Sequence, residues 1–279
     1  MPNASHVVTI TEGVTYREGP GYRLTGDFYR PQHDRPVSVL IAVHGGAWRQ
    51  GDPARYSHIA AWLAARGIAV FAITYRLATR EAAAFPQAVT DVIAAIRFLT
   101  AQAGEMGIDP DRIALIGDSA GAHLSATAAL AGRLWDDPDG QDIRNAIKAV
   151  ICVYGVYDMV AQWEHDLVAR PRDSITATFL GLSPLDDRMA FQLASPINHA
   201  TLNQPHMPFM VAWGTDDDIV DWQTQSARFA LALKQAGFPT TVVPVVGAPH
   251  FWIDEPVTEP GSFTAFLAPR VLRFLHRFV

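Results

Sequence analysis

Residues 112–121 read Arg-Ile-Ala-Leu-Ile-Gly-Asp-Ser-Ala-Gly, and this stretch decides the fold. Its apolar beginning predicts a buried strand, and the small residues at 123–130 predict a helix directly after it. Between them, Gly117-Asp118-Ser119-Ala120-Gly121 is a Gly-x-Ser-x-Gly pattern in a strand, turn, helix context, which is typical of a nucleophile elbow. Such a turn lifts the serine hydroxyl clear of the sheet, and the glycines let neighbouring backbone pass close to it. Ser119 is therefore the candidate nucleophile; a glycine-rich connection with a helix-capping serine is the alternative.

On both sides of this stretch, buried strands alternate with amphipathic helices. Nearly unbroken apolar runs predict strands at 37–43, 68–73, 147–153, 208–213 and 240–246. Apolar residues at helical spacing predict helices at 56–64, after Pro86, at about 222–236 and at about 264–278. Residues 7–30 alternate apolar and polar, which predicts antiparallel strands at a sheet edge, and a turn is expected at 107–110. The rhythm predicts an α/β fold with a largely parallel sheet and helices on both faces.

One long connection breaks this rhythm. It runs from Tyr154 to Pro208, carries several aromatic residues, and is interrupted by prolines at 171, 184, 196 and 205. A connection of this length inside a compact domain is usually functional. We therefore predict a single domain over residues 1–279 with a small helical cap at about 155–207, beside the active site. A surface insertion without function is the alternative.

Composition excludes several classes of protein. The chain has 279 residues, of which 49% are apolar and 18% charged, so it is long and apolar enough to bury a core. A net charge of -6 offers no basic stripe for nucleic acid, and no apolar run reaches the roughly 18 residues that span a bilayer. The first residues lack a secretory pattern, and the one cysteine, Cys152, forms no internal disulfide. We therefore expect a cytoplasmic protein without nucleic-acid or membrane partners. The sequence does not indicate an oligomeric state.

A serine nucleophile needs a base and a group that orients the base. Of the ten histidines, His250 alone follows a core strand near the C-terminus on a short turn, so it is the candidate base. Three adjacent carboxylates follow the strand that ends at Trp213-Gly214, namely Asp216, Asp217 and Asp218. Because alternate side chains on a tight loop point in different directions, the residues alone leave the choice among them open. His123 follows Ser119 on the same helix and is expected to pack behind the turn.

The oxyanion of an acyl-transfer reaction needs preorganised N–H donors. His44-Gly45-Gly46-Ala47-Trp48 directly follows the strand at 37–43, and its glycines allow backbone N–H groups to face the site. The N–H of Ala120 is a second candidate donor, because the first residue of a helix has no intrahelical acceptor. His44 is expected to pin this loop rather than react.

These motifs together resemble the hormone-sensitive-lipase-type and feruloyl-esterase-like branch of the α/β-hydrolase superfamily. The resemblance covers about residue 25 to the C-terminus, and it implies an α/β-hydrolase fold of about eight strands. Residues 119–124 and the Gly-Gly-x-Trp pattern at 45–48 also resemble kynurenine formamidases. In these families the acid lies three residues after the glycine of a Gly-x-x-Asp-x-x-Val pattern, and Gly214, Asp217 and Val220 match it, which selects Asp217. The resemblance also maps two oxyanion donors onto Gly46 and Ala47.

Two departures from the family patterns bear on the activity. Ala47 stands where the lipase-type pattern has a third glycine, and Asp118 stands where formamidases usually have histidine. The second departure favours an esterase. We therefore predict a carboxylesterase-type serine hydrolase for short-chain or aryl esters of small molecules, which acts through Ser119, His250 and Asp217 and an acyl-enzyme. The alternatives are an arylformamidase that hydrolyses N-formyl-kynurenine and a non-catalytic hydrolase-like binding module.

The substrate pocket is predicted from aromatic residues near the catalytic loops or the cap. These are Trp48, Tyr157, Trp163, Phe251 and Trp252, for each of which ordinary core packing is the alternative. No cofactor or metal is predicted, because the chain has no His-Glu-x-x-His pattern and one cysteine builds no thiolate site.

Overall fold

The computed structural model describes residues 5–135, 142–203 and 207–279. Its strands are β1 (Val8–Gly19), β2 (Tyr22–Pro31), β3 (Val37–Val43), β4 (Ala69–Ile73), β5 (Ile108–Asp118), β6 (Ile147–Val153), β7 (Phe209–Gly214) and β8 (Thr240–Val245). Its α-helices are α1 (Ser57–Ala64), α2 (Gln87–Ala101), α3 (Ala103–Met106), α4 (Ala120–Ala131), α5 (Met159–Ala169), α6 (Ile175–Leu180), α7 (Arg188–Leu193), α8 (Arg228–Gln235) and α9 (Phe263–Phe278).

The strands form one sheet in the order β1-β2-β4-β3-β5-β6-β7-β8. The β1–β2 and β2–β4 pairs are antiparallel, and every pair from β4–β3 to β7–β8 is parallel. This confirms the predicted fold class, a mostly parallel sheet of eight strands with antiparallel strands at one edge.

Helices cover both faces of this sheet. All seven residues of β3 are buried, and alternate side chains point to opposite faces. Ile41 belongs to the apolar cluster that includes α2, α4 and α8, whereas Leu40 belongs to the cluster that includes α1 and α9. A fully covered strand explains why the sequence shows a continuous apolar run here instead of an alternating pattern.

One predicted boundary is wrong. Gly107 lies in a turn, but residues 108–110 of the turn expected at 107–110 are instead the start of β5, because Ile108 pairs with Val37 of β3. This strand pairing outweighs the local pattern, which reports only on neighbours in sequence. The helix expected at about 222–236 is present, with a π-helical turn over Gln223–Ala227 directly before α8.

The stretch predicted as a cap contains α5, α6 and α7, while its residues 204–206 lie outside the described part of the chain. Each of the three helices begins at a side-chain N-cap: Asp158 accepts from Val160 and Ala161 N–H, Ser174 from Ala177 N–H, and Asp187 from Ala190 N–H. The carbonyl of Phe179 on α6 accepts hydrogen bonds from the N–H groups of Ala84 and Phe85, which join α6 to the segment before α2.

Candidate active site

The turn between β5 and α4 holds Ser119 in a strained backbone conformation. Its φ is 51° and its ψ is -118°, in a region that residues with a Cβ rarely adopt. The flanking glycines make this turn possible, because a Cβ on Gly117 would lie 2.2 Å from the carbonyl oxygen of Gly121, and a Cβ on Gly121 would lie 1.9 Å from that of Val43. The Ser119 N–H donates to Val153 O at 2.9 Å, which ties the turn to β6.

Ser119, His250 and Asp217 form a continuous chain of hydrogen bonds. His250 Nε2 lies 3.0 Å from Ser119 Oγ, and His250 Nδ1 lies 2.7 Å from Asp217 Oδ2. The ring is buried against Tyr154, whose ring centroid is 4.6 Å away. With Asp217 ionised, Nδ1 carries the proton and donates to the carboxylate, and Nε2 accepts from the serine hydroxyl. The arrangement is therefore able to remove a proton from Ser119.

Of the three adjacent aspartates, Asp217 makes the contact with the imidazole. Its Oδ1 accepts from the N–H groups of Ile219 and Val220 at 3.0 and 2.9 Å, which fixes the carboxylate with Oδ2 toward His250. Asp216 and Asp218 are exposed. The three residues of the chain follow β5, β7 and β8, whose carboxyl ends lie at one edge of the parallel sheet, where such folds place their ligands.

Three unused backbone donors border Ser119. Within the described residues, the N–H groups of Gly46, Ala47 and Ala120 have no hydrogen-bond acceptor. Gly46 and Ala47 have φ values of 123° and 53°, so the loop after β3 turns sharply here, and a Cβ on Gly46 would lie 2.0 Å from the Gln50 carbonyl oxygen. Free N–H groups at a helix start and on a strained loop are suited to bind a developing oxyanion.

His44 and Asp118 fix the position of the loop after β3. His44 is stacked on Tyr75 with 4.4 Å between ring centroids, and burial lowers its pKa to about 4, so the ring is neutral at physiological pH. Tyr75 Oη donates to the His44 carbonyl at 2.9 Å. Asp118 Oδ1 accepts from the Gly45 N–H at 2.8 Å. Burial raises the pKa of Asp118, while the nearby Arg55 acts in the opposite direction.

The contact between Asp118 and Gly45 has no signal in the local sequence, where Asp118 stands out only as a departure from a family pattern. A buried carboxylate between two glycine-rich loops is recognisable only when both loops are seen together, since the two residues are 73 positions apart.

A cleft of about 420 Å³ opens over Ser119 and His250. The cleft is lined by the loop after β3 and by Arg170 and Ile175, which lie at the end of α5 and the start of α6. Ile219, Val220 and Phe251 complete the lining. The cleft therefore lies between the loops that carry Ser119 and His250 and the stretch predicted as a cap.

Of the five aromatic residues predicted for the substrate pocket, only Phe251 lines this cleft, with half of its surface exposed. Trp48, Tyr157 and Trp252 are fully buried, which contradicts the prediction. Trp48 stacks on Phe179 and Tyr157 stacks on Phe229, while Trp252 packs against Tyr154. Trp163 is half-buried against the core cluster and is not among the cleft residues. These rings lie near the predicted catalytic loops in sequence, but they point into the core. Large apolar rings are stabilised when they pack against each other and are removed from water.

His123 lies behind the elbow, as expected from its place on α4. Its Nδ1 accepts from Trp48 Nε1–H at 3.1 Å, so its Nε2 carries the proton and donates to the Ala194 carbonyl at 2.7 Å. Burial lowers its pKa to about 4. The imidazole joins α4, the loop after β3 and the segment after α7 through these two hydrogen bonds.

Arginines in the cleft had no sequence signal. Arg49, Arg55 and Arg170 all line it. Arg49 forms a two-bond ion pair with Asp173, at 2.5 and 2.7 Å, which connects the loop after β3 to the turn between α5 and α6. Arg49 and Asp173 are distant in the chain, and arginines are common on any protein surface. The sequence alone therefore does not mark these arginines as cleft residues.

Two other kinds of site are absent from the part of the chain that the structure describes. No group of three His, Cys, Asp or Glu side chains there is arranged to hold a metal ion. No helix there combines the length and the apolar character that a bilayer crossing requires.

Comparison with known proteins gives a consistent group of relatives. Residues 27–233 match the BD-FAE family. The chain is 32% identical to the probable carboxylic ester hydrolase LipM of Mycobacterium tuberculosis, over 71% of this chain and 45% of that protein, and 33% identical to its esterase LipC, over 74% and 51%. It thus spans about half the length of these curated relatives. Among solved structures, Thermogutta terrifontis esterase 2 phosphorylated by paraoxon is similar, with a TM-score of 0.73 and 25% identity over 99% of this chain and 95% of that one.

Proposed function

Because the chain belongs to the BD-FAE family and has the α/β-hydrolase fold, we propose that it is a serine carboxylesterase that hydrolyses small-molecule esters through Ser119, His250 and Asp217. One observation carries the proposal: the hydrogen-bond chain of 3.0 and 2.7 Å that joins these three side chains at the base of an open cleft. The esterase relatives support the class of reaction.

The proposed reaction begins when an ester binds with its carbonyl carbon beside Ser119 Oγ. His250 Nε2 accepts the serine proton as Oγ attacks, and Asp217 stabilises the resulting imidazolium. The carbonyl oxygen becomes an oxyanion that the N–H groups of Gly46, Ala47 and Ala120 bind; one donor of this kind contributes roughly 3 to 4 kcal/mol in known hydrolases.

Collapse of the tetrahedral intermediate expels the alcohol, which takes the proton from His250. This leaves an acyl group on Ser119 Oγ. A water molecule then attacks the acyl carbon while His250 accepts its proton, and a second collapse returns the proton to Ser119 and releases the carboxylic acid. His250 thus acts in turn as base and acid, with Nε2 exchanging the proton with Ser119, the leaving alcohol and the attacking water.

The cap belongs to the same proposal. Arg170 and Ile175 border the cleft, and the ion pair between Arg49 and Asp173 holds the turn before α6 against the loop that carries the oxyanion donors. In this proposal the chain is one domain, and its cap over about 155–207 confines the acyl or alcohol group of the substrate. We also propose a reducing compartment such as the cytoplasm, since Cys152 is a buried free thiol.

The Ser119→Ala variant tests the proposal. It should keep its circular dichroism spectrum and its melting temperature within a few degrees, and it should lose nearly all hydrolysis of p-nitrophenyl acetate, since removal of such a nucleophile costs about 10⁶-fold in kcat. A second readout is covalent: paraoxon should add a diethylphosphoryl group to the peptide that carries Ser119 in the wild type and leave the variant unmodified. A purified variant with wild-type turnover would contradict the assignment.

N-formyl-kynurenine separates the esterase from an arylformamidase. In the same assay series, the wild-type enzyme should have a higher kcat/KM for p-nitrophenyl acetate and phenyl acetate than for the formamide. The opposite order would overturn the ester specificity while leaving the serine mechanism in place. Absence of turnover with all three substrates, together with no labelling by paraoxon, would favour a binding module.

A further inference from the structure

The three arginines of the cleft differ in their partners. Arg49 is bound through both terminal nitrogens to Asp173. Arg170 donates through Nη2 to the buried carboxylate of Asp166 and, at 3.4 Å, to the Ile219 carbonyl. Both charges are therefore already matched by a carboxylate within hydrogen-bond distance.

Arg55 has a carboxylate partner in the buried Asp118, but only as an ion pair longer than a hydrogen bond. In the described residues its guanidinium makes no hydrogen bond, and its Nη1 is buried without an acceptor. The nearest carboxylate oxygen, Asp118 Oδ2, is 3.8 Å from Nη1, which is beyond hydrogen-bond distance. Only 23% of the Arg55 side chain is exposed. Donors left unmet in such a setting cost free energy, and an arginine keeps its charge at any physiological pH.

The position of Arg55 connects it to the catalytic residues. Its guanidinium carbon lies 5.7 Å from the centre of the Phe251 ring, and that ring is 4.3 Å from the ring of His250. Phe251 holds a φ of 59°, so this residue occupies a strained conformation beside the base. The aromatic face supports the cation from one side. An acceptor that reaches its remaining N–H groups would lie in the cleft that also contains Ser119.

We propose that Arg55 binds a carboxylate carried by the substrate in addition to its scissile ester. This inference rests on the proposed function and names the substrate class of that same cleft. A planar carboxylate accepts two N–H bonds from one guanidinium, which matches an arginine whose guanidinium makes no hydrogen bond in the described structure. A phosphate dianion carries two negative charges, and a second arginine would be needed to bind it. The other two cleft arginines already donate hydrogen bonds to aspartates. Asp52, a carboxylate on the cleft wall, is exposed and accepts from the Ala54 N–H as a helix cap.

Two matched pairs of esters test the proposal. Monomethyl glutarate and methyl pentanoate place a carboxylate or a methyl group at the end of the same acyl chain. The pair γ-acetoxybutyrate and butyl acetate makes the same comparison on the alcohol side. Acid release in a pH-stat gives kcat/KM for each ester. The wild type should prefer the anionic member of at least one pair, whereas a preference for the neutral member of both would overturn the proposal.

The variants Arg55→Gln and Arg172→Gln show whether Arg55 is the source of this preference. Arg55→Gln should lower the ratio of kcat/KM for the anionic ester to that for its neutral partner by about 10- to 100-fold, as expected for a lost charge-assisted bond. The change should appear chiefly in KM for the anionic ester. Arg172 is exposed and does not line the cleft, so its variant controls for a general loss of positive charge and should leave the ratio within about twofold. A ratio unchanged in Arg55→Gln would overturn the proposal.

Inhibition of the wild type keeps the test decisive if Arg55→Gln fails to fold. Glutarate should compete with methyl pentanoate, and uncharged glutaramide should inhibit at least tenfold more weakly. A tenfold difference corresponds to the loss of one charge-assisted interaction. Equal inhibition by the two compounds, or none by glutarate, would overturn the proposal. Failure of the proposed function would look different, since the wild type would then hydrolyse neither the neutral esters nor p-nitrophenyl acetate.

Discussion

At the scale of single residues, the chemistry depends on which side chain is held in which direction. Asp217 is turned toward His250 because two backbone N–H groups, those of Ile219 and Val220, occupy its other oxygen. Its neighbours on the same loop point to solvent. The same principle separates Phe251, which faces the cleft, from Trp252, which faces the core.

Exchange of Asp217 for asparagine tests this orientation. Asp217→Asn preserves the shape of the side chain but removes the charge that, in the proposed mechanism, stabilises the imidazolium and selects its tautomer. We expect kcat for p-nitrophenyl acetate to fall by about 10³- to 10⁴-fold. The matched control, Asp218→Asn, alters an exposed carboxylate of the same loop and should keep kcat within about twofold. Equal losses in the two variants would contradict the role of Asp217.

At the scale of elements, the site depends on how closely α4 approaches β3. Gly121 is the contact point, because its backbone lies against the carbonyl oxygens of Val43 and His44. Any side chain at this position separates the elbow from the loop that carries the proposed oxyanion donors.

A pair of glycine-to-alanine variants measures this approach. In Gly121→Ala the new Cβ would lie 1.9 Å from Val43 O, so we expect the free energy of unfolding to fall by at least about 1 to 3 kcal/mol and esterase activity to be lost. Gly132, at the other end of α4, has helical dihedrals and a nearest Cβ contact of 3.4 Å. Gly132→Ala should leave the protein as stable as the wild type or up to about 1 kcal/mol more stable. Urea denaturation measures both values. Equal stability of the two variants would contradict the close approach.

His123 joins α4 to two other elements, and its titration should be visible in stability. Its pKa is lowered from 6.5 to about 4 by burial, so the folded protein keeps it neutral while the unfolded chain binds a proton below about pH 6.5. Stability from this group is therefore present above pH 6.5 and is lost as the pH falls toward 4.

The variant His123→Gln removes this titration and retains a donor and an acceptor. Between pH 7 and pH 4, the wild type should lose more unfolding free energy than the variant does, by about 3 kcal/mol. Urea titrations at intermediate pH values give the two curves, and His44 contributes equally to both. Parallel curves would show that the buried imidazole does not resist protonation.

At the scale of the whole molecule, we expect the position of the cleft to limit the size of the substrate. The cleft of about 420 Å³ lies between the carboxyl edge of the sheet and the segments around α5 and α6. The ion pair between Arg49 and Asp173 holds the turn before α6 against the loop after β3. The hydrogen bonds that the Phe179 carbonyl accepts hold α6 against the segment before α2.

Acyl-chain selectivity checks this confinement. Across p-nitrophenyl esters from acetate to palmitate, kcat/KM should be highest for a short acyl chain, because a long chain has no room in a cleft of this volume. Rates below the critical micelle concentration of each ester are the measurement. A maximum at laurate or a longer chain would contradict a confined site.

Much of the architecture follows from local pattern. The period of the apolar residues predicts the strands and most of the helices, since each period is a direct property of the backbone geometry. The alternation of these elements predicts the parallel sheet, which the structure confirms. The spacing of Gly117, Ser119 and Gly121 also predicts the strained turn, because only glycine leaves room for the backbone atoms that pass there.

Tertiary structure alone decided which distant groups meet. The residues left three aspartates open, four of the five aromatic residues predicted for the pocket are absent from the cleft, and no pattern marked Arg49 and Asp173, 124 positions apart, as partners. The physical reason is that hydrophobic periodicity is encoded between neighbours in sequence. The direction of a side chain, and whether a guanidinium such as that of Arg55 finds a hydrogen-bond acceptor, is set by atoms that folding brings from elsewhere in the chain.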